Sequence, residues 1–213
     1  MKMGGMNILK TKLSIVIISL IFSFLLVFLA APTVLAAPAN ADNSKLIAEY
    51  TEAINSNPND AVAYYNRGQQ YLSSKLLDLA LEDFSKAVSI NPKYAAAYLG
   101  RASIYEKREQ YDKGMDDCNQ AIKLDPTYAR AYTSRATIYS RTSQYDLAIE
   151  DCNKSIALYP KNAAPYFLKS LVYQKKHQYQ DAIEICRIVL ANFSDEATVE
   201  FAKNTIRYLG GTI

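Results

Sequence analysis

The chain has 213 residues, with 24 Lys and Arg against 21 Asp and Glu, seven glycines, three cysteines, 17 tyrosines and no tryptophan. Half of it is hydrophobic, which suits one or two folded domains and excludes a disordered or collagen-like chain. No dense basic run with interleaved aromatics occurs, so the composition leaves no footprint for nucleic acid.

Residues 1–36 read as an export signal. Lys2, Lys10 and Lys12 precede an apolar run from Leu13 to Ala31, Pro32 breaks it, and Val34, Leu35 and Ala36 before Ala37 offer the small-residue pattern of a signal peptidase site. The run also approaches the ~20 residues that span a bilayer. Two readings stay open: cleavage after Ala36, or an uncleaved anchor over residues 13–31. Both place the rest outside the cytoplasm, periplasmic or extracellular, because the Lys-rich flank stays inside. The leader holds three lysines and no acid, so the remainder of the chain is charge-neutral.

After a linker over 37–43, residues 44–58 predict a helix with Leu46, Tyr50 and Ala53 on one face and Pro58 closing it. From Ala61 the chain repeats with a period of 34. Tyr64, Tyr98, Tyr132 and Tyr166 align, as do Gly68, Ala102, Ala136 and Ser170, and then Tyr71, Tyr105, Tyr139 and Tyr173. In the second half of each unit Ala80, Gly114, Ala148 and Ala182 align, followed by Phe84, Cys118, Cys152 and Cys186. Spacings of three and four put each set on one face of a helix, polar turns such as Arg108 to Gln110 separate the halves, and Pro92, Pro126 and Pro160 close three units. The units are 61–94, 95–128, 129–162 and 163–194, each a helical hairpin. Residues 195–209 predict a last helix, with Gly210 and Gly211 past its end. Short residues let antiparallel helices approach, so Gly68 is expected against Ala80 and Ala136 against Ala148. Gly114 costs its helix about 0.5–1 kcal/mol relative to Ala, which makes the second hairpin the expected soft one.

This pattern of aromatic, small residue, Tyr, Ala, Phe, Ala and Pro over 34 residues resembles the tetratricopeptide repeat (TPR) family. The resemblance implies an all-α fold, a right-handed superhelical solenoid of about four hairpins with an N-terminal capping half-unit at 44–58 and a C-terminal capping helix at 195–209. The chain departs from the pattern where Arg67, Arg101, Arg135 and Lys169 replace the usual Leu, and at Ser194 in place of Pro.

The cysteines occupy the aromatic slot of the hairpin and read as small buried hydrophobes. Equivalent points on stacked helices lie ~8–10 Å apart, too far for a disulfide. The single histidine, His177, lies in a polar turn away from them. Arg67, Arg101 and Arg135 recur in phase with Asp83, Asp117 and Asp151. Two readings of this ladder stay open: bidentate pairs within or between hairpins that fix their stacking, or a solvated charged face.

The resemblance further implies that a partner peptide or helix lies on the concave surface, lined by the first helix of each hairpin. In this chain those places are Val62, Tyr65, Gln69 and Leu72, then Leu99, Ser103 and Glu106, then Arg130, Thr133, Thr137 and Arg141, then Phe167, Leu171 and Gln174. Chaperone-binding members hold a C-terminal carboxylate with Lys and Asn at the places of Tyr65 and Gln69, so that clamp is missing. A ligand with apolar ends and an acidic group near Arg130 and Arg141 suits the set; alternatively, the C-terminal segment covers Phe167 and Leu171. No glycine-rich phosphate loop, nucleophile elbow or metal-ligand spacing occurs, so no catalytic residue, cofactor or metal is predicted. Two functions follow: an exported interaction scaffold whose partner is another protein, or a self-associating assembly factor of an envelope complex. Neither involves nucleic acid, and a membrane enters only through an uncleaved leader.

Overall fold

A computed structural model describes residues 41–212; the expected leader over 1–36 lies outside the described residues. Ten α-helices follow in order: α1 Ala41–Ser56, α2 Ala61–Ser73, α3 Leu77–Ile90, α4 Ala95–Lys107, α5 Tyr111–Leu124, α6 Ala129–Arg141, α7 Tyr145–Leu158, α8 Ala164–Lys175, α9 Tyr179–Asn192 and α10 Glu196–Tyr208. The first begins at Ala41, inside the expected linker, with Asp42 favourably placed in its first turn. The helices pack as hairpins α2/α3, α4/α5, α6/α7 and α8/α9, with α1 stacked before the first and α10 after the last. The result is an all-α solenoid. Helices α2, α4, α6 and α8 also touch one another in succession, whereas α3, α5, α7 and α9 do not. A stack whose one layer is tighter curves toward that layer, so these even-numbered helices line the concave side.

The connections follow from local chemistry. Between hairpins, the carboxamides of Asn57 and Asn91 and the carboxylate of Asp125 accept from the amides of Asn59, Lys93 and Thr127, at 2.9–3.1 Å. The following proline sets φ for the bend. Within hairpins, the amides of Leu76, Gln110, Gln144 and Gln178 donate to the carbonyls of Tyr71, Tyr105, Tyr139 and Tyr173 at 2.8–2.9 Å. Such a helix end needs a left-handed residue. Here Lys75, Glu109, Ser143 and His177 supply it, with φ of 58–60°. Each costs about 1–2 kcal/mol that glycine would not; α10 ends the same way on Gly210, at φ 78°.

Of the two expected close pairs, Ala136 and Ala148 share one buried cluster with Cys152 and Val172, whereas in the first hairpin the nearest neighbour of the glycine is an aromatic ring. A Cβ on Gly68 would lie 2.9 Å from the Phe84 ring, and one on Gly100 of the next hairpin 2.8 Å from the same ring. Gly68 therefore makes room for Phe84, which clusters with Ala80 on the outer helix and reaches closest to the glycine. Phe84 fills a socket made by two glycines. In the following units the knob shrinks to cysteine while the positions equivalent to the glycines fill, with Ala102 and Ser134, then Ala136 and Leu168, then Ser170 and Ala202; Ala102 clusters with Cys118, Ala136 and Leu168 with Cys152, and Ala202 with Cys186, whose sulfur lies 3.4 Å from the Ser170 hydroxyl. All four knobs are fully buried. Gly114 is likewise a close approach, its missing Cβ leaving 2.9 Å to the Ile138 terminal methyl.

The charge ladder is structural. Each guanidinium forks onto the aspartate of its own hairpin, Arg67 on Asp83, Arg101 on Asp117 and Arg135 on Asp151, through two bonds of 2.7–2.8 Å. The aspartates are buried. A remaining nitrogen reaches back to the preceding helix layer, from Arg67 to Thr51 at 3.1 Å and from Arg135 to Asn119 at 2.7 Å. Tyrosines three residues before and four after flank each guanidinium, with ring centroids 5.6–5.9 Å away. In the fourth hairpin both partners change together: Ile185 replaces the acid, and Lys169 donates to Asn153 at 2.6 Å.

Two sets of substitutions test this packing by thermal and urea unfolding. Gly100→Ser alone lowers stability by about 1–3 kcal/mol, because its Cβ meets the Phe84 ring. Combined with Gly68→Ala and Phe84→Cys, which copies the second hairpin, it costs less than the sum of the separate changes. Arg135→Leu and Asp151→Leu each cost about 2–4 kcal/mol by leaving a buried partner unpaired. The double change Arg135→Lys with Asp151→Ile, which copies the fourth hairpin and keeps Asn119 as acceptor, costs less than either.

Candidate functional site

The concave layer brings the expected groove residues into three separate places. At the N-terminal end Tyr65, Gln69 and Leu72 of α2, Leu99 and Ser103 of α4, and Arg130 of α6 ring a small cavity of about 60 Å3, joined by Ala96, Gly100, Tyr128 and Ser134. Tyr65 is fixed: its ring packs 5.0 Å from Tyr94 and 5.7 Å from Phe84, and its hydroxyl accepts from the Gln69 amide at 2.7 Å. Burial raises the phenol pKa of Tyr94 and Tyr128. Leu99 is 5% exposed and belongs to the core with Ala102 and Cys118, so it supports the wall instead of offering itself to a ligand. Leu72 packs on the Phe84 cluster. Arg130 and Val62 are exposed.

In the middle the polar side chains satisfy one another. Thr133 shares a hydrogen bond with Ser155 at 2.8 Å, Thr137 donates to the Thr133 carbonyl at 3.0 Å, and Ser103 to the Gly100 carbonyl at 2.7 Å. Glu106 and Arg141 pair at 3.2 Å between α4 and α6. This stretch is a polar floor with little bonding capacity left over.

At the C-terminal end Phe167, Leu171 and Gln174 of α8 face Phe201, Asn204, Thr205 and Tyr208 of α10 across a cavity of about 490 Å3. The rings of Phe167 and Phe201 meet at 4.4 Å. The C-terminal segment, weighed above as a cover for Phe167 and Leu171, packs on the half-buried Phe167 through Phe201 and forms the opposite wall of the cavity beside Leu171. It leaves Leu171 47% exposed, Phe201 53% and Tyr208 84%. The signal was present, since Phe201 follows Phe167 by one period.

The groups with reactive chemistry lie elsewhere. Cys118, Cys152 and Cys186 are free and buried. Burial pushes the thiols of Cys118 and Cys152 up to about 12, and raises that of Cys186. His177 is exposed in its turn, with Nδ1 2.9 Å from the Tyr179 hydroxyl. Among the described residues no three metal-ligating side chains gather, and no helix is long and apolar enough to cross a membrane.

Comparison with known proteins agrees with this architecture. The family model described as Tetratricopeptide repeat matches residues 61–94, 95–128 and 129–162, and a second model of that description matches 152–184. Among curated proteins none matches the chain. Among solved structures, MamA is 26% identical over 68% of this chain and 84% of that one, with a TM-score of 0.60. A thermophilic TPR protein of Thermus thermophilus is 17% identical over 76% of this chain and 89% of its own, with a TM-score of 0.68. The second TPR domain of human RPAP3, solved in complex with the HSP70 peptide SGPTIEEVD, is 25% identical over 53% of this chain and 93% of that one, with a TM-score of 0.50.

The thiols give a direct check on the core. At pH 8 all three react with a chromogenic disulfide reagent at least ~100-fold more slowly in the folded chain than in urea, because burial suppresses both access and the thiolate. A fast thiol in the folded state would show a knob outside its socket.

Proposed function

The chain belongs to the tetratricopeptide repeat family, and on that premise we propose that it is a non-catalytic interaction scaffold that holds a peptide or helical segment of another protein on its concave surface. The observation that carries this reading is where unsatisfied surface remains. The thiols and the three ladder aspartates, Asp83, Asp117 and Asp151, are buried in packing, and the middle of the groove is internally bonded. The two ends of the concave layer keep open cavities, with Arg130 beside one and exposed apolar side chains beside the other. Protein interfaces use apolar anchors and complementary charge of this kind. A neighbour of similar fold was solved with a bound peptide, which supports the mode of binding. The places of Tyr65 and Gln69 lack the Lys and Asn of a carboxylate clamp, so the ligand recognised here differs from one held by its terminal carboxylate.

We place the scaffold outside the cytoplasm on the strength of the Lys-rich, apolar N-terminal stretch, free after cleavage at Ala36 or tethered by residues 13–31. The test immobilises the full chain, exposes it to envelope and secreted extracts, and compares it with the exposed double variant Arg130→Glu with Arg141→Glu. A protein retained by the native chain and lost from the variant is the expected result. Retention by both moves the interaction to the convex face or the ends of the array, which is the self-assembly reading. A matching dependence of mass on concentration in light scattering would then support that reading.

A further inference from the structure

We propose that the exposed face of α10 is a dimer interface, closed by the same helix of a second copy lying antiparallel across a twofold axis near Asn204. The proposal goes beyond the groove reading and does not depend on it.

By its phase in the repeat α10 continues the series of inner helices. Glu200, Asn204 and Arg207 stand one period after Tyr166, Ser170 and Tyr173, the places through which α8 meets its outer helix. On α10 these places are exposed, together with Phe201 and Tyr208, and spacings of three and four make them one stripe. A polar outer face is enough to end a solenoid in water, which accounts for Glu200, Asn204 and Arg207. It does not account for Phe201 and Tyr208. Tyr208 is 84% exposed, and with Phe201 and Leu171 it forms an apolar patch at the rim of the C-terminal cavity.

The stripe is complementary to itself. Glu200 lies four residues before Asn204 and Arg207 three after, while Phe201 lies three before and Tyr208 four after. At 3.6 residues per turn the two charges fall on one flank of Asn204 and the two rings on the other. Reversing the helix direction across a twofold keeps each flank against itself. Glu200 of one copy then meets Arg207 of the other, Phe201 meets Tyr208, and every contact is made twice. A parallel pair crosses the flanks and sets each charge against a ring.

The charges have capacity for this. Within one copy Glu200 and Arg207 stand 3.6 Å apart, beyond hydrogen-bonding reach, and the arginine Nη1 donates to the Asn204 side-chain oxygen at 3.1 Å. Across copies the same groups meet directly. Stacking α10 on α1 of a further copy is a poorer fit. In the second hairpin Lys113 lies over the Tyr105 ring at 5.5 Å, and the same places in such a stack hold Lys45 and Arg207, two cations.

Sedimentation equilibrium on the full chain over a wide range of concentration tests the proposal. The mass is expected to rise and to level at two copies, because an isologous contact closes. Glu200→Arg and Arg207→Glu each turn two attractive contacts into repulsive ones and should weaken the dimer at least ~10-fold. The double variant restores the pairing, and its dimer should return to within ~3-fold of the native one. Tyr208→Ser should weaken it ~10-fold by removing apolar burial. All three places are exposed, so circular dichroism should show unchanged helicity. A monomer at every concentration overturns the proposal. So does a dimer that persists through both single reversals, as one held by the apolar run over 13–31 would. Failure of the double variant to restore association overturns the antiparallel pairing, and a mass that grows past two copies overturns the closed dimer. The variant Arg130→Glu with Arg141→Glu should dimerise as the native chain does. A partner lost from that variant in the capture experiment, with only monomer in sedimentation, would overturn the dimer and leave the groove reading standing.

Discussion

Two antiparallel helices approach only as closely as the side chains between them allow, and here one knob per hairpin sets that distance. Phe84 requires bare backbone on both sides, at Gly68 and Gly100, because even a methyl group there would overlap its ring. Where the knob is cysteine, alanine, serine or leucine occupies the socket, so the volume between layers is filled in each case by a different division of atoms. The cysteines recur for this reason and not for their sulfur chemistry. Once the spacing is set, orientation is fixed by the guanidinium forks. Each Arg clamps its own outer helix through a buried aspartate. In the first and third hairpins a further nitrogen reaches the preceding layer, so one side chain couples hairpin formation to stacking. A single hairpin buries too little to stand alone, and this coupling is what makes the units depend on their neighbours.

Much of this was legible in the sequence, for physical reasons. The 34-residue period, the helical faces and the phase of Arg with Asp are properties of spacing, which residues display directly. Depth is not displayed by spacing: Gly68 and Ala80 share an interface, but only the folded chain shows that position 84 reaches past both. The left-handed helix ends were also hidden. Lys75, Glu109, Ser143 and His177 carry none of the glycine preference of that conformation, and tertiary packing holds them there despite its cost. For the groove, the family resemblance supplied the expected face, and residue type did not reveal which polar groups were already engaged. Thr133 and Thr137 look available as residue types, and both are bonded inside the protein. Leu99 looks like a contact and is core.

Binding capacity on a solenoid is what remains after stacking has been satisfied. In the middle of this groove close inner helices bring hydroxyls and charges within reach of one another, and they pair. Toward the C-terminal end the inner layer parts, and large side chains face water.

The departures from the repeat are concentrated where the array opens. The fourth hairpin loses the Arg–Asp pair, with Lys169 and Ile185 in its place. It also ends at Ser194 instead of proline and places Phe167 and Leu168 where earlier inner helices carry smaller or more polar residues. Each change alone reads as drift. Together they release the constraints that hold the earlier helices in register, the bidentate clamp and the proline-set bend, and they insert bulk between α8 and α10. A stack kept regular through three units and altered in the fourth supports the cavity at its C-terminal end, and a rigid wall around an open pocket lowers the ordering cost of a ligand that enters it.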